Sequence, residues 1–241
     1  MFRVRNGKRN EFHGENLCPC RCCGCAPLLW LFQPLSSGNC FLSQLTGALP
    51  TIGPDSGRVF AIERNGEEIG RHEVTVEQRG GRLEVRIKVT VDYRFLFISV
   101  YRFEHDAHEI WKDGTLQELR AITNDNGESF DVVVWPQASG LLLNVNGEEH
   151  GVGRGTVPSS LWCQDMARSG QMIDPANGEV MSVKVSAAKW VQMTVRGVTI
   201  RAQKFVMTGD LERELWYDST GMLVKVRFSW EDGSELQFRM L

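Results

Sequence analysis

The sequence lacks several features that define common functional classes. No apolar run approaches the roughly 18 residues that a transmembrane helix requires, so no membrane-spanning helix is predicted. The 27 Lys and Arg residues are outnumbered by 30 Asp and Glu residues, whereas a nucleic-acid-binding domain usually carries a basic surplus. A nucleophile elbow, a phosphate-binding loop and a dinucleotide fingerprint are also absent. We therefore expect a protein that is not an enzyme, needs no cofactor or metal and does not bind nucleic acid.

Cysteine is nearly absent from most of the chain. Six of the seven cysteines lie in the first 40 residues, and only Cys163 follows them. An internal disulfide is therefore excluded after residue 50, because a disulfide requires two cysteines. No basic residue or histidine flanks Cys163 to lower the pKa of its thiol, so we interpret it as a buried small residue.

The first fifty residues differ in composition from the rest of the chain. A basic opening segment precedes the apolar stretch Ala26–Phe32 and the small residues 46–48, an arrangement typical of a secretory signal peptide. We expect residues 1–50 to be a leader absent from the mature protein, which would be periplasmic or otherwise exported. The alternative is a disordered tail on a cytoplasmic protein. Two further alternatives are metal binding by the Cys18–Cys25 cluster and lipid modification of Cys40.

From residue 58 onward the pattern is typical of β-strands. Apolar residues alternate with polar residues from Leu83 to Val91 and from Met222 to Trp230, the period of half-buried strands. Dipeptides that tolerate a positive φ separate such runs at hairpin spacing. They are Asn65-Gly66, Gly80-Gly81, Asp113-Gly114, Asn126-Gly127, Asn146-Gly147, Asn177-Gly178 and Asp232-Gly233. Residues 58–241 are therefore predicted to be one mainly β domain, a single strongly curved antiparallel sheet or half-open barrel.

Two segments depart from this alternation. Ser160–Arg168 has a serine cap, apolar residues one turn apart and a following glycine, a pattern that predicts a short helix. We expect at most one or two short helices in the domain. Phe95–Phe103 is apolar at both parities, which predicts a central strand covered on both faces. An apolar cavity wall is the alternative for this strand.

The histidines and acid pairs of the sequence are its candidate catalytic or metal-binding groups. On a strand His105 and His108 point to opposite faces and cannot share an ion, so His105 is predicted to be a hydrogen-bonded histidine at a rim or in the core. Acid pairs such as Glu67-Glu68 occur in turn sequences. The segment 174–179 lacks the ligand series of a calcium loop. None of these groups predicts a metal site.

Several motifs resemble an uncharacterised family of exported bacterial proteins that is known as a domain of unknown function. The resemblance covers about residues 58–241 and includes Glu109–Leu116, Thr123–Gly127, Pro158–Trp162 and Gly209–Asp218. It implies an exported single domain with a curved antiparallel sheet and carries no established activity. The chain is also similar, more distantly, to the half-barrels of periplasmic lipoprotein-localisation factors, which cradle acyl chains.

A curved sheet could hold an apolar small molecule or a lipid in its concavity. We expect the predicted helix to cover one end of that concavity. The residues expected to border the ligand, with the histidine at the rim, are Phe97, Tyr101, Trp162, Met166 and His105. The alternative is a structural or protein-interaction domain with a solid core, whose partner the sequence does not identify.

Overall fold

The computed structural model describes residues 56–230 and 232–241, apart from the Phe95 side chain. The predicted leader lies outside these residues. The described residues form sixteen strands and one 3-10 turn, Met166–Arg168. The strands are β1 (Ser56–Arg64), β2 (Glu67–Arg79), β3 (Arg82–Phe95), β4 (Ile98–Lys112), β5 (Thr115–Asp125), β6 (Glu128–Gln137), β7 (Gly140–Val145), β8 (Glu148–Val152), β9 (Val157–Pro158), β10 (Gln171–Ile173), β11 (Val180–Val185), β12 (Lys189–Val195), β13 (Val198–Gly209), β14 (Arg213–Tyr217), β15 (Leu223–Ser229) and β16 (Glu235–Met240).

All sixteen strands belong to one open sheet. Its order is β8-β7-β6-β5-β4-β3-β2-β1-β16-β15-β14-β13-β11-β10-β9, and β12 pairs with β13 outside this path. Neighbouring strands are antiparallel except β9 and β10, which are parallel. Strands β8 and β9 form the two edges, so the sheet does not close into a barrel. The prediction of a mainly β protein built on one antiparallel sheet is confirmed.

Side-chain alternation decides which face of the sheet is buried. Residues of one parity in β3, from Leu83 to Val91, are buried, and the charged residues between them lie on the outer face. Five of the predicted dipeptides form two-residue hairpin turns, among them Asn65-Gly66 and Asp113-Gly114. Both residues of these two dipeptides have a positive φ. Such turns match the twist of the strands that they join, which fixes the register of each hairpin.

One buried segment, residues 159–176, shows that the sheet is curved. Trp162 Nε1 donates a hydrogen bond of 3.0 Å to Glu109 on β4. The neighbouring Leu161 carbonyl accepts a hydrogen bond of 3.2 Å from Tyr217 on β14. In the sheet order β4 and β14 are six places apart, about 29 Å in a flat sheet. Both strands can reach the same segment only because the sheet wraps around it.

The predicted helix Ser160–Arg168 is wrong. Leu161 has a φ of 54°, which an α-helix does not accommodate. The Trp162 carbonyl accepts a hydrogen bond from Leu223 N, and Cys163 forms a β-bridge with Met222. The backbone of this segment is therefore bonded to the start of β15. Only Met166–Arg168 makes a 3-10 turn.

The prediction of a covered central strand over Phe95–Phe103 is also wrong. The chain reverses at Leu96 and Phe97, which join β3 to β4 and whose side chains are 74% and 99% exposed. Ile98 and Val100 are exposed as well. Apolar residues at both parities therefore mark the tip of a hairpin in this chain.

The β3–β4 turn offers a test of backbone strain. Leu96 and Phe97 have φ values of 48° and 69°, a conformation that costs residues with a Cβ about 1 kcal/mol or more each. Replacing them together by Asn and Gly is expected to raise the free energy of unfolding by about 1 kcal/mol, because Asn-Gly adopts this turn readily. Urea denaturation followed by circular dichroism measures the change.

The matched control is the β4–β5 turn, where Asp113 and Gly114 have φ values of 49° and 74°. Replacing these two residues by Leu and Phe creates the opposite change in the same turn geometry. This variant should lose a similar amount of stability. Equal stability of both variants and the wild type would contradict the assignment of strain.

Candidate functional site

The five predicted site residues lie in three places. Phe97 is at the β3–β4 tip, and Tyr101 is half-buried near the base of that tip, where it contacts Trp230 with ring centroids 5.6 Å apart. His105 is buried on the inner face of β4. Trp162 and Met166 are buried in segment 159–176.

Phe97 and Trp162 do not lie together, contrary to the prediction that they share one cavity wall. Trp162 packs edge-on against Trp111, with ring centroids 6.3 Å apart. Fourteen residues of hairpin separate Trp111 from Phe97, which corresponds to about 45 Å along a strand. Trp162 therefore lies near the C-terminal end of β4, and Phe97 lies at the turn before its N-terminal end. Roles in binding for Tyr101, His105, Trp162 and Met166 stay predictions.

A buried carboxyl group joins β4 to segment 159–176. Glu109 is fully buried, and its Oε2 accepts hydrogen bonds from Trp111 Nε1 at 2.7 Å and Trp162 Nε1 at 3.0 Å. Burial raises the pKa of Glu109, and hydrogen bonds from the Ser160 hydroxyl and the two indoles partly oppose this shift. The bonds from Ser160 and Trp162 therefore link this carboxyl group to segment 159–176.

Some buried polar atoms of β4 and of segment 159–176 have spare hydrogen-bonding capacity. Glu109 Oε1 and the Ser159 hydroxyl are buried and lack a partner of good hydrogen-bond geometry among the described residues. The Ser160 hydroxyl, which lies close to the carboxyl, is within 3.8 Å of Met166 Sδ. Such buried polar atoms are uncommon and ask for an explanation, such as a bound water or ligand.

A second set of polar residues crosses the inner face in register. His72 on β2 pairs with Val89, Val89 with His105, and His105 with Thr123 on β5. His105 Nδ1 lies 2.8 Å from Thr123 Oγ1. Neither ring nitrogen of His72 has a partner among the described residues, although its ring stacks on Phe238 at 5.2 Å.

Burial controls the charge of both histidines. Desolvation lowers the pKa of His72 to about 3 and that of His105 well below its usual value, and each imidazole is therefore neutral at neutral pH. The row offers neutral hydrogen-bonding groups inside an apolar surface.

A buried arginine lies on β14. Burial lowers the pKa of Arg213 to about 10, and the nearby Asp174 and Glu212 carboxylates oppose the shift. The guanidinium carbon lies 3.6 Å from the centre of the Phe228 ring, a cation–π contact. Asp174 itself is buried in segment 159–176. This charge therefore holds the segment against the β14–β15 side of the sheet.

The chemistry available at these residues is hydrogen bonding. Burial raises the pKa of the Cys163 thiol to about 12, which leaves it protonated, and Cys163 is buried as predicted. No group of three or more His, Cys, Asp or Glu side chains suited to a metal ion occurs in the described part of the chain. Over the same residues, no helix has the length and apolarity to span a membrane.

Glu109, Ser159 and His72 were missed by the sequence reasoning. A parity argument could have found two of them. His72 has the same parity as the buried Val74 and Val76, and Glu109 has the parity of Ala107 and Trp111. A polar residue at an inward position of a strand is a signal for a buried polar group. Ser159 had no such signal, because its segment is not a strand.

The buried histidines predict how stability depends on pH. His72 has a folded pKa of about 3 and an unfolded pKa near 6.5, so the unfolded chain binds more protons between these values. Stability is therefore lost as the pH falls from 6.5 towards 3, by about 1.4 kcal/mol per pH unit for one histidine. His72→Leu should remove this contribution, which urea denaturation at pH 7 and at lower pH measures.

The exposed His150 on β8 provides the control for this measurement. His150→Leu should keep the wild-type loss of stability on acidification. His72→Leu should still lose stability on acidification because of His105, but the loss should be smaller than in the wild type, which has both histidines. A pH dependence in His72→Leu that equals the wild type would contradict the neutral, desolvated state of the buried imidazole.

Comparison with known proteins places this geometry in a family. The profile of a family described as Domain of unknown function (DUF6134) matches residues 60–241. A solved structure, a beta-barrel-like protein of domain of unknown function DUF1849 from Brucella abortus, is similar with a TM-score of 0.56 and 6% sequence identity. The similarity covers 78% of this chain and 96% of that chain, and at this identity it shows the fold alone. No curated protein sequence matches this chain. Because the family profile matches most of the chain, the protein belongs to the family described as Domain of unknown function (DUF6134).

Proposed function

We propose that this protein is an exported, non-enzymatic binding protein that holds an apolar, lipid-like molecule against the concave face of its sheet. The exported setting rests on the composition of residues 1–50, which is typical of a signal peptide. The observation that carries the ligand is the set of buried polar atoms at Glu109 Oε1, Ser159 and His72 that lack a hydrogen-bond partner of good geometry among the described residues. A molecule with polar ends and an apolar middle would hydrogen-bond to these polar atoms and pack against the apolar inner face between them.

The spacing of these atoms supports an elongated ligand. His105 in the histidine row and Glu109 are on the same face of β4 and four residues apart, about 13 Å along a strand. Between them the inner face carries Ala107, whose neighbours in register are Ile87 and Ala121. The two alanines are small side chains in adjacent strands, and both are buried in the main core. The apolar part of a ligand would lie over these alanines.

The protonation states support a neutral ligand. Burial lowers the pKa values of both histidines, so both imidazoles are uncharged at neutral pH, and burial also raises the pKa of Glu109. An ionised ligand would have to lose its hydration without gaining a countercharge there, which is costly. Hydroxyl, ester or amide groups of a lipid-like molecule fit the available donors and acceptors.

A protein-interaction domain with a solid core is the second candidate function. The observation that favours it is the near-complete burial of Trp162 and Met166, which are 1% and 3% exposed. On this account segment 159–176 fills the concavity and the unpaired polar atoms are bonded to buried water. The two candidates differ in the consequences of adding volume over the alanines.

The test compares two alanine-to-leucine variants. Ala107→Leu adds volume at the centre of the inner face, and Ala202→Leu adds the same volume in a separate small cluster with Trp216 and Val224. Native mass spectrometry of protein purified from its own host should show a retained lipid-like molecule in the wild type and in Ala202→Leu. Ala107→Leu should lose that molecule, and titration with a fluorescent fatty acid should show weaker binding.

Stability distinguishes the second candidate. If a ligand fills the space, Ala107→Leu should cost little in the free energy of unfolding of ligand-free protein. In a solid core the same change should cost about 1–3 kcal/mol through overpacking. Absence of any retained molecule, together with a large loss of stability in Ala107→Leu, would overturn the ligand-binding proposal.

A further inference from the structure

The β3–β4 hairpin separates from both neighbouring strands before it ends. Pairing between β2 and β3 stops at Gly70 and Val91, and pairing between β4 and β5 stops at Phe103 and Asp125. From Asp92 to Tyr101 the strands pair only with each other in the described structure. The tip lies about 15 Å along the strands beyond the last pair with β2. An isolated two-stranded ribbon of this kind gains little stability from burial.

The turn at this tip departs from the other turns of the sheet. The turns β1–β2, β4–β5 and β5–β6 use Asn-Gly or Asp-Gly, whereas this one uses Leu96 and Phe97 in the same conformation. Neither side chain is buried by the described residues, and Ile98 is 68% exposed beside them. Backbone strain combined with exposed apolar side chains has no stabilising role in the isolated chain, so it points to an external partner.

Two tyrosines fix the hairpin at its base. Tyr93 and Tyr101 are paired across the two strands. The Arg64 guanidinium lies over the Tyr93 ring at 4.2 Å, and the Tyr101 hydroxyl donates to Asp125 at 2.8 Å. Tyr101 also packs edge-on against Trp230. The contacts hold the base on both sides, and the apolar tip is left to make contacts outside the protein.

Charged residues of both signs lie near the tip. Arg94 is the closest in sequence, and Arg102 lies opposite Asp92 in register; both arginines are exposed. The Asp92 carboxylate accepts hydrogen bonds from Arg94 at 2.6 and 2.8 Å and from the Ser99 hydroxyl at 2.6 Å, so two arginines and one carboxylate leave a positive excess here. An apolar end, a tyrosine pair and flanking arginines are the arrangement found where proteins meet the headgroups of a bilayer.

We propose that the β3–β4 hairpin inserts Leu96, Phe97 and Ile98 into the interface of an anionic lipid bilayer. The tyrosine pair lies three to four residues behind the tip, about 10 Å, which matches the depth of interfacial insertion. Arg94 and Arg102 would then reach lipid phosphates. The strands are paired to each other up to the turn, and the backbone groups on their outer edges require water or lipid headgroups as partners, which limits the hairpin to the bilayer interface. This inference concerns the outer hairpin and does not depend on a ligand inside the sheet.

The test measures binding of the full chain to vesicles of phosphatidylcholine with and without phosphatidylglycerol. All variants keep residues 1–55, so any contribution of that segment is common to them. Wild-type protein should co-sediment with anionic vesicles, less so at high salt. Replacing Leu96 and Phe97 together by Asn and Gly should weaken binding at least about tenfold, since two apolar side chains no longer leave water. Val198→Asn, which removes a residue 62% exposed on β13, should bind like the wild type.

A second measurement uses Phe97→Trp, which keeps the tip apolar. Quenching of its tryptophan emission by brominated acyl chains should exceed that of the wild type. Equal vesicle binding by wild type and the Asn-Gly variant would overturn the proposal, as would absence of binding by every form. If the Asn-Gly change instead converts a dimer to a monomer in sedimentation velocity, without vesicle binding, the tip is an interface between two copies and the proposal is wrong. Retained lipid in the mass spectrum decides the proposed function alone.

Discussion

A sheet with no second layer packed against it must bury its apolar face against itself. In this protein the inner face of β4 and the inner face of β14 meet the same segment, residues 159–176, although six places of sheet order separate the two strands. The bonds of Trp162 to Glu109 and of Tyr217 to the Leu161 carbonyl act across that gap. The curvature of the sheet and the burial of the segment both follow from this one requirement.

The same requirement explains why polar groups are tolerated inside. The segment that fills the concavity is irregular, so its backbone and serine side chains cannot all be satisfied by sheet pairing. Glu109 accepts two indole N–H groups and thereby anchors the segment at the cost of burying a carboxyl, which its raised pKa records. Arg213 holds the opposite side through Phe228 and the nearby Asp174. The interior therefore contains polar anchors for the segment.

Local patterns predicted the parts of the fold that local forces determine. The alternation of Leu83 to Val91 and the Asn-Gly turns gave the strands, their faces and five of the hairpins, because those choices depend on adjacent residues. The short strands β8, β9, β10, β12 and β16 were not predicted. Segment Ser160–Arg168 has a helical pattern, yet distant Met222 and Leu223 take its backbone into pairing. The turn at Leu96 was missed because neither residue is one that favours a positive φ. For the site, parity places His105 inward and could have placed Glu109, whereas Ser159 depends on the tertiary path alone.

One hairpin carries both the polar interior and the exposed tip, and this sets an order along β4. From the turn inward the strand presents Ile98, then Tyr101, then His105 and finally Glu109 beside Trp162. The interval from the turn to His105 is about 27 Å of strand. If the tip rests in a bilayer, His105 is the buried polar residue of β4 nearer to the lipid. Glu109 lies four residues further from the bilayer. A lipid-like molecule entering from that side would meet neutral imidazoles before it reached the carboxyl. The backbone strain at Leu96 and Phe97 lies in the β3–β4 hairpin, and the unpaired ring nitrogens of His72 lie on the neighbouring strand β2. Neither feature stabilises the described residues by itself, and a lipid partner would account for both.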